Sequence, residues 1–429
     1  MHQNQLRRTI SLPQGVALYL GAIIGAGVLL LPGVSATMAG PASVVAWLFD
    51  ALLGIPLALT FAALAGRIPD AGGAATYATR AFGGATGAVV GWFYFIGAAT
   101  AQTLVALTGA YYAGPYLGLG NGGIFLLAGA ILTVATVSNA WGLRVSARLQ
   151  LLFSTTVALL LVAAVLVAAP RMEAERWTPF APHGWTAAGS AGVVIFFAFF
   201  GWEAITHLSE EFQDPARDVP RSTVISVALI TALFAGVAVV TVGTGTYGTD
   251  ELNRTVIARL LGGSSSSTVG ALASTIALLI AVGTANAFVA ATSRLGYALG
   301  RDRVFPRVFA AVSDRGVPLV SVLVVGGYAG ACLLVSYLLD WGPELLLKVP
   351  TSLVILTYIA AMVAGVRLLS GARRIVAGAA ALLCLVLLPF AGVALAIPVI
   401  VALLALTYRW WTRRRETTRP RMADETVER

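Results

Sequence analysis

The sequence predicts an all-α integral membrane protein of about twelve transmembrane helices, and three observations predict it. Of 429 residues, 58% are apolar and only 11% charged, with a mean hydropathy of +0.86, whereas a soluble chain carries roughly 25% charged residues. The apolar residues form continuous runs, not the short alternating segments of a membrane β-barrel, so helices are the consistent reading. The basic residues divide 23 to 5 between alternate loops, as the positive-inside rule requires of an even number of spans with both ends cytoplasmic.

Runs bounded by Gly, Pro and charge fall near 13–36, 42–66, 85–113, 122–142, 149–169 and 187–208, then 222–246, 268–292, 317–339, 346–368, 374–390 and 392–410. Each is long enough for a bilayer core, which takes about 20 helical residues. The first run follows Arg7 and Arg8 as a signal peptide would, but it lacks a cleavage site and eleven similar runs follow, so it reads as a retained span. Arginines on the cytoplasmic side bound the later runs: Arg67 and Arg80, Arg144 and Arg148, Arg217 and Arg221, Arg301 to Arg315, and Arg367 to Arg374. The expected organisation is a cytoplasmic N-terminus (1–12), a first five-helix unit (13–169), an external loop (170–186), a second five-helix unit (187–368), two further helices (369–411) and a cytoplasmic basic tail (412–429). Gly262 to Ser267, GGSSSS, reads as an external flexible loop.

Several function classes are excluded. Cys332 and Cys384 both lie in apolar runs, against a disulfide scaffold, and two cysteines with three scattered histidines give no metal cluster. The tail places Trp410 and Trp411 among Arg409, Arg413, Arg414 and Arg415, the pattern of a headgroup anchor on anionic lipid; no nucleic-acid module accompanies it. No cofactor is expected. No Walker sequence occupies the loops.

Two spans are interrupted. Span one, GVALYLGAIIGAGVLLLPG, places Gly21, Gly25 and Gly27 near its middle. Close packing through small residues is one reading. The other is an unwound segment whose free N–H and C=O groups bind a zwitterion at the half-helix ends. A dinucleotide fingerprint in GAIIGAG fails, because no strand precedes it. Span six, GSAGVVIFFAFFGWEAITHLSEE, contains Gly201 and the acidic Glu203. An ionisable group at that depth is costly unless paired, neutralised or hydrated. Glu203 therefore reads either as a permanently protonated group holding the break, or as a proton carrier. Asp50 also lies within a run, but nearer its end, where external water is expected to reach it. His207, one turn beyond Glu203, reads as a proton relay or as an interfacial histidine. Interruptions at positions one and six match five-helix units repeated with inverted topology.

These segments together resemble the amino acid, polyamine and organocation (APC) transporter superfamily, over nearly the whole chain. The residues that carry the resemblance are IGAGV in span one, RIPDAGGAATY from Arg67 to Tyr77, GWEAITHLSEEFQDPARDVPRS from Gly201 to Ser222, and SRLGYALGRDRVFP from Ser293 to Pro306. In the third, Glu211, Pro215, Arg217, Pro220 and Arg221 fit the loop after span six. Within the superfamily the chain is most similar to bacterial exporters of methionine and branched-chain amino acids. The resemblance implies the APC fold, a five-plus-five inverted repeat with broken helices one and six, and a substrate held at mid-membrane.

Carried over to this chain, it implies that the N–H groups of Gly25, Ala26 and Gly27 hold a substrate carboxylate, and that the carbonyls of Ile23, Phe197 and Phe200 take its ammonium beside Gly201. Phe197 stands at an aromatic gate position. Phe288 is a candidate for the side-chain pocket, and Gln102 and Asn286 are polar candidates; each has a packing alternative. Some relatives carry a lysine on span five in place of sodium, but LLFSTTVALLLVAAVLVAA has none. Thr292 and Ser293 leave a sodium site open, while Glu203 favours proton coupling. The expectation is a proton-coupled exporter or exchanger of small neutral amino acids in the cytoplasmic membrane. An importer of the same fold is the alternative; a channel or membrane-embedded enzyme is more distant, with Glu203 and His207 the one enzyme-like pair.

Overall fold

In lipid a backbone has no hydrogen-bonding partner but itself, and continuous apolar sequence resolves this by coiling into helices. The computed structural model describes residues 10–68, 70, 72–142, 147–203, 212–262 and 268–417. In chain order the helices are α1 (Leu12–Ile23), α2 (Leu31–Ala39), α3 (Ser43–Arg67), α4 (Ala74–Phe82), α5 (Gly84–Ala113), α6 (Asn121–Ala140), α7 (Ala147–Ala168) and α8 (Gly184–Ile195). They continue as α9 (Pro215–Thr244), α10 (Asp250–Arg254), α11 (Val256–Leu260), α12 (Thr268–Arg301), α13 (Leu319–Leu338), α14 (Pro343–Leu368), α15 (Ala372–Leu387) and α16 (Ala396–Thr417). The one β feature among the described residues is an isolated bridge between Ile10 and Phe212.

Nine helical stretches among the described residues are long and apolar enough to cross a bilayer. Two of them, Leu31–Arg67 and Ala372–Thr412, run to 37 and 41 residues, more than the ~20 that one crossing needs. Each turns at a glycine with positive φ, Gly40 at 59° and Gly392 at 53°, a conformation that costs a residue with a Cβ. Gly184–Phe199, which contains α8, is apolar but shorter.

Helix α5 is the central post. Every residue from Gly97 to Ala113 on it is buried. It runs antiparallel to α12 through small-residue contacts: a Cβ on Gly91 would stand 2.5 Å from Leu299, one on Gly296 2.8 Å from Phe95, and one on Gly109 would overlap the Ala281 methyl. That register sets Gln102 level with Phe288. The periphery is apolar and exposed instead, as at Leu126 on α6, Leu338 on α13 and Leu403 on α16, the distribution a lipid-facing surface requires.

The ends of span one are held differently. On one side α1 lies against α9: the Tyr19 and Thr223 hydroxyls are 2.6 Å apart, Ser226 donates to the Val16 carbonyl, and Gln213 N–H donates to Ile10 at 2.9 Å. Gly15 is pressed against the Phe212 ring. On the other side Thr37 of α2 donates to the Asn253 side chain at 3.0 Å.

Several boundaries differ from the sequence expectation. Helix α4 fills the expected loop after span two, where Asp70 accepts from Gly72 N–H and the Thr76 hydroxyl and ties the preceding turn to the first turn of the helix. The segment between α9 and α12, expected as a loop, contains α10 and α11, the former capped by Thr249. Helix α9 starts at Pro215, seven residues early, with Asp214 accepting from Arg217 N–H. Helix α12 continues nine residues past the expected end, to Arg301. His207, Glu210, Glu211, Arg7, Arg8, Gly263 to Ser267 and the tail beyond Thr417 lie outside the described residues.

A Cβ on Gly33 would stand 2.8 Å from the Asn253 Cα, a backbone atom, whereas one on Gly330 meets nothing within 4 Å. Gly33→Ala is therefore expected to cost about 1–3 kcal/mol by overpacking, read as a lower thermal midpoint of the purified chain. Gly330→Ala should show no such loss.

Candidate functional site

A helix ends where its next N–H finds a different acceptor. In α1 the Ile24 N–H still reaches Leu20, but Gly25 N–H turns back to the Ile23 carbonyl at 2.8 Å. Ile24, at φ −77° and ψ 63°, forms an inverse γ-turn. Gly25 is extended, a short 3-10 segment runs from Ala26 to Leu29, and α2 starts with Pro32 in its first turn. The glycines are set by close neighbours. A Cβ on Gly25 would lie 3.3 Å from the Thr284 methyl of α12, and one on Gly27 would lie 3.3 Å from the Phe197 ring.

The second interruption follows α8. A 3-10 turn spans Phe196–Phe199, Phe200 is extended, and Gly201 has φ 132°, which strains a residue with a Cβ. Aromatic rings pin this irregular chain: Phe196 to Tyr358 at 5.5 Å, Phe199 to Phe234 at 5.4 Å, and Trp202 to Tyr19 at 5.8 Å. Glu203 follows at 4% exposure. Its carboxylate accepts from the hydroxyls of Tyr94 on α5 and Tyr358 on α14. The Tyr358 hydroxyl in turn accepts from Gly201 N–H at 3.2 Å. One hydrogen-bonded chain thus joins an acidic side chain to the backbone of the break.

Phe197, Phe200 and Phe288 come together with Tyr94. Ring centroids are 6.5 Å apart for Phe197 and Phe200, 5.6 Å for Phe200 and Phe288, and 5.4 Å for Tyr94 and Phe200. Gln102, fully buried and level with Phe288, has no hydrogen-bond partner for either amide atom among the described residues. Two of the three carbonyls assigned to an ammonium are already in turns, Ile23 with Gly25 N–H and Phe197 with Phe200 N–H, although each carbonyl retains a second lone pair.

Other sequence candidates lie apart from this cluster. The Asn286 side chain accepts from Ser138 and Asn139 of α6, at 2.5 and 2.8 Å, which joins two helices. Ser293 and Thr292 are buried, with the Ser293 hydroxyl donating to Ala290 of its own helix. Asp50 is corrected: expected within reach of water, it is 0% exposed, because α8 and α15 cover that face of α3. Sequence reasoning missed Tyr94, Tyr358 and Thr284. A tyrosine far from both ends of an apolar run was the available signal, since its hydroxyl needs a partner there.

A cavity of about 330 Å³ lies beyond the span-one break, between Leu30 and Val34 on one side and Tyr111, Arg254, Asp340 and Trp341 on the other. Arg254 pairs with Asp250 at 3.0 Å and lies 4.4 Å above the Tyr111 ring. At the opposite end Gly15 and Phe212 are in contact.

A multi-pass helical membrane protein with irregular backbone enclosed at its centre belongs among carriers, where such backbone is tolerated because it lines a site. The amino acid permease family model matches residues 10–423, and this chain belongs to that family. It is 35% identical to the uncharacterized amino acid permease YecA of Bacillus subtilis, over 93% of this chain and 94% of that one. It is 28% identical to the L-methionine/branched-chain amino acid exporter YjeH of Escherichia coli, over 90% and 92%. It is 27% identical to the branched-chain amino acid permease BcaP of Bacillus subtilis, over 56% of each. Its relatives are transporters, and the chain is a transporter, not an enzyme.

Tyr358 both donates to Glu203 and accepts from Gly201, whereas Tyr94 does only the former. Tyr358→Phe should therefore impair transport more than Tyr94→Phe, the loss of a buried partner being worth about 1–3 kcal/mol. The double variant should lose less than the summed single effects. Initial rates of labelled-substrate exchange in liposomes measure both.

Proposed function

We propose that this chain is a secondary transporter of small neutral amino acids, crossing the cytoplasmic membrane twelve times with both termini inside and working by alternating access as a proton-coupled exporter or exchanger. The nine long stretches become twelve crossings when α1 with α2 and α8 with the chain after it count as broken spans, and α15 and α16 as separate ones. Helices α1 to α7 then form one five-helix unit and α8 to α14 its inverted repeat. The observation that carries this reading is the pair of interruptions facing each other, with the Phe197 ring against Gly27.

Exposed N–H and C=O groups at such half-helix ends bind the carboxylate and ammonium common to every amino acid. The γ-turn between Ile23 and Gly25 opens when substrate replaces its internal hydrogen bond. Side-chain selection falls to Phe197, Phe200, Phe288 and Gln102, an aromatic surface with one amide and no charge, which suits an aliphatic or thioether substrate. The names of YjeH and BcaP point to the same substrates. The contact of Gly15 with Phe212 closes one end of the path, and the cavity beside Leu30 and Val34 opens the other.

Glu203 supplies the proton step. As a carboxylate it accepts from both phenols; once protonated, one oxygen carries a donor and loses acceptor strength, so the phenol facing it is freed to turn away. If that phenol is Tyr358, the acceptor of Gly201 N–H turns with it and the break in span six is released. The basic tail, with Arg414 3.9 Å above the Trp410 ring, suits an anionic leaflet.

Proteoliposomes carrying a panel of labelled amino acids, with and without pH and sodium gradients, test this reading. Preloaded L-leucine or L-methionine should accelerate uptake of the labelled compound, and absence of counterflow would refute a carrier. Glu203→Gln should lose pH-driven accumulation but retain exchange; an unchanged pH response would remove Glu203 from coupling. Gly25→Val, whose methyls would meet Thr284, should abolish binding, and normal affinity would defeat the carboxylate assignment.

A further inference from the structure

We propose that Asp50 is a second proton-binding site, separate from Glu203 and operated by the movement of α8. The proposal rests on the alternating-access reading above. Asp50 is fully enclosed, and neither carboxyl oxygen has a protein hydrogen-bond partner among the described residues. Two helices besides its own close over it, and a third packs one turn away. From α8, Gly192 faces it: a Cβ there would stand 3.9 Å from Oδ2 of Asp50 and 3.1 Å from Leu387 of α15. From α15, the buried Cys384 lies one turn before Leu387, the residue that meets Gly192. From α9, Phe234 packs on Trp47, one turn before Asp50 on the same face. The titratable group of α14 nearest α3 is Tyr358, which packs on Phe61, three turns away. Cys384 is therefore the titratable neighbour, and the described elements around Asp50 bring no counter-charge.

A carboxylate enclosed without a partner is too costly to hold, so the site as built holds the neutral acid. Helix α8 runs into the irregular segment Phe196–Gly201, and glycine at 192 lets it close on Leu387 of α15 beside the carboxyl. The lid over Asp50 is thus a turn of the segment that moves. When α8 tilts away, water enters and the O–H bond breaks heterolytically, leaving a carboxylate and a hydronium ion. Return of α8 requires the reverse step, because the ion cannot be sealed in. Each docking of α8 takes up one proton and each release gives one back.

Infrared spectroscopy of the full chain in liposomes reads this directly. The wild type should show a carboxylic-acid C=O stretch that Asp50→Asn lacks, and saturating L-leucine should alter its intensity. Asp50→Asn, a neutral isostere, should keep counterflow while moving fewer protons per substrate. Gly192→Val, which wedges α8 outward without changing Asp50, should make the band titrate in the substrate-free chain, and it serves if Asp50→Asn does not fold. Identical wild-type and Asp50→Asn spectra would overturn the proposal. So would a band indifferent to L-leucine together with unchanged proton movement in Asp50→Asn, or a band that does not titrate in Gly192→Val. A wild type without counterflow would instead defeat the carrier reading, and the infrared comparison would still report whether Asp50 holds a proton.

Discussion

The structure depends on how the irregular backbone that follows α8 is satisfied. A helix broken inside lipid exposes amide and carbonyl groups that water cannot reach, and each one left bare is costly. Here Gly201 N–H goes to the Tyr358 hydroxyl, and that hydroxyl goes to Glu203, which Tyr94 holds from the opposite helix. The carboxylate therefore has a structural duty: through Tyr358 it is linked to the backbone of the irregular segment. Span one solves the same problem locally, by folding Gly25 N–H back onto Ile23. The two solutions differ in consequence: a γ-turn opens with a small dihedral change, whereas the Glu203 network ties together α5, α14 and the chain after α8.

Around these breaks the aromatic residues do two kinds of work. Phe196, Phe199 and Trp202 anchor the irregular chain to Tyr358, Phe234 and Tyr19, so that segment has a defined shape without regular hydrogen bonding. Phe197, Phe200 and Phe288 gather on the other side, next to Gly27 and level with Gln102. Anchoring rings at 196, 199 and 202 and gathered rings at 197 and 200 follow the three-residue period of a 3-10 segment, with one face packed and the next turned away from it.

Much of the architecture was legible in order and depth. Hydropathy located the helices, arginine placement suggested their direction, and Gly25 and Gly201 marked where helices stop. Helices α4 and α10 were not legible, because α4 is tied by Asp70 to Gly72 and Thr76 and α10 is capped by Thr249, in segments too short to show periodicity. In the site, Glu203 announced itself as an acid in an apolar run. Its partners did not, since Tyr94 and Tyr358 lie 109 and 155 residues away. Asn286 looked as available as Gln102, yet one is bonded across to α6 and the other has no partner for either amide atom among the described residues. Asp50 looked near water because its position was judged along its own helix, while its burial comes from α8 and α15.

By itself the sequence determined what each residue must do with respect to lipid: which segments coil, where glycine lets a helix end, and which acids are out of place. These are local consequences of side-chain polarity and backbone freedom. Tertiary structure alone decided who meets whom, because a hydrogen bond or an enclosing wall depends on the facing helix, and helices distant in sequence are brought together only by packing. That is why Glu203 could be singled out in advance, while the two phenols that hold it and the cover that seals Asp50 could not.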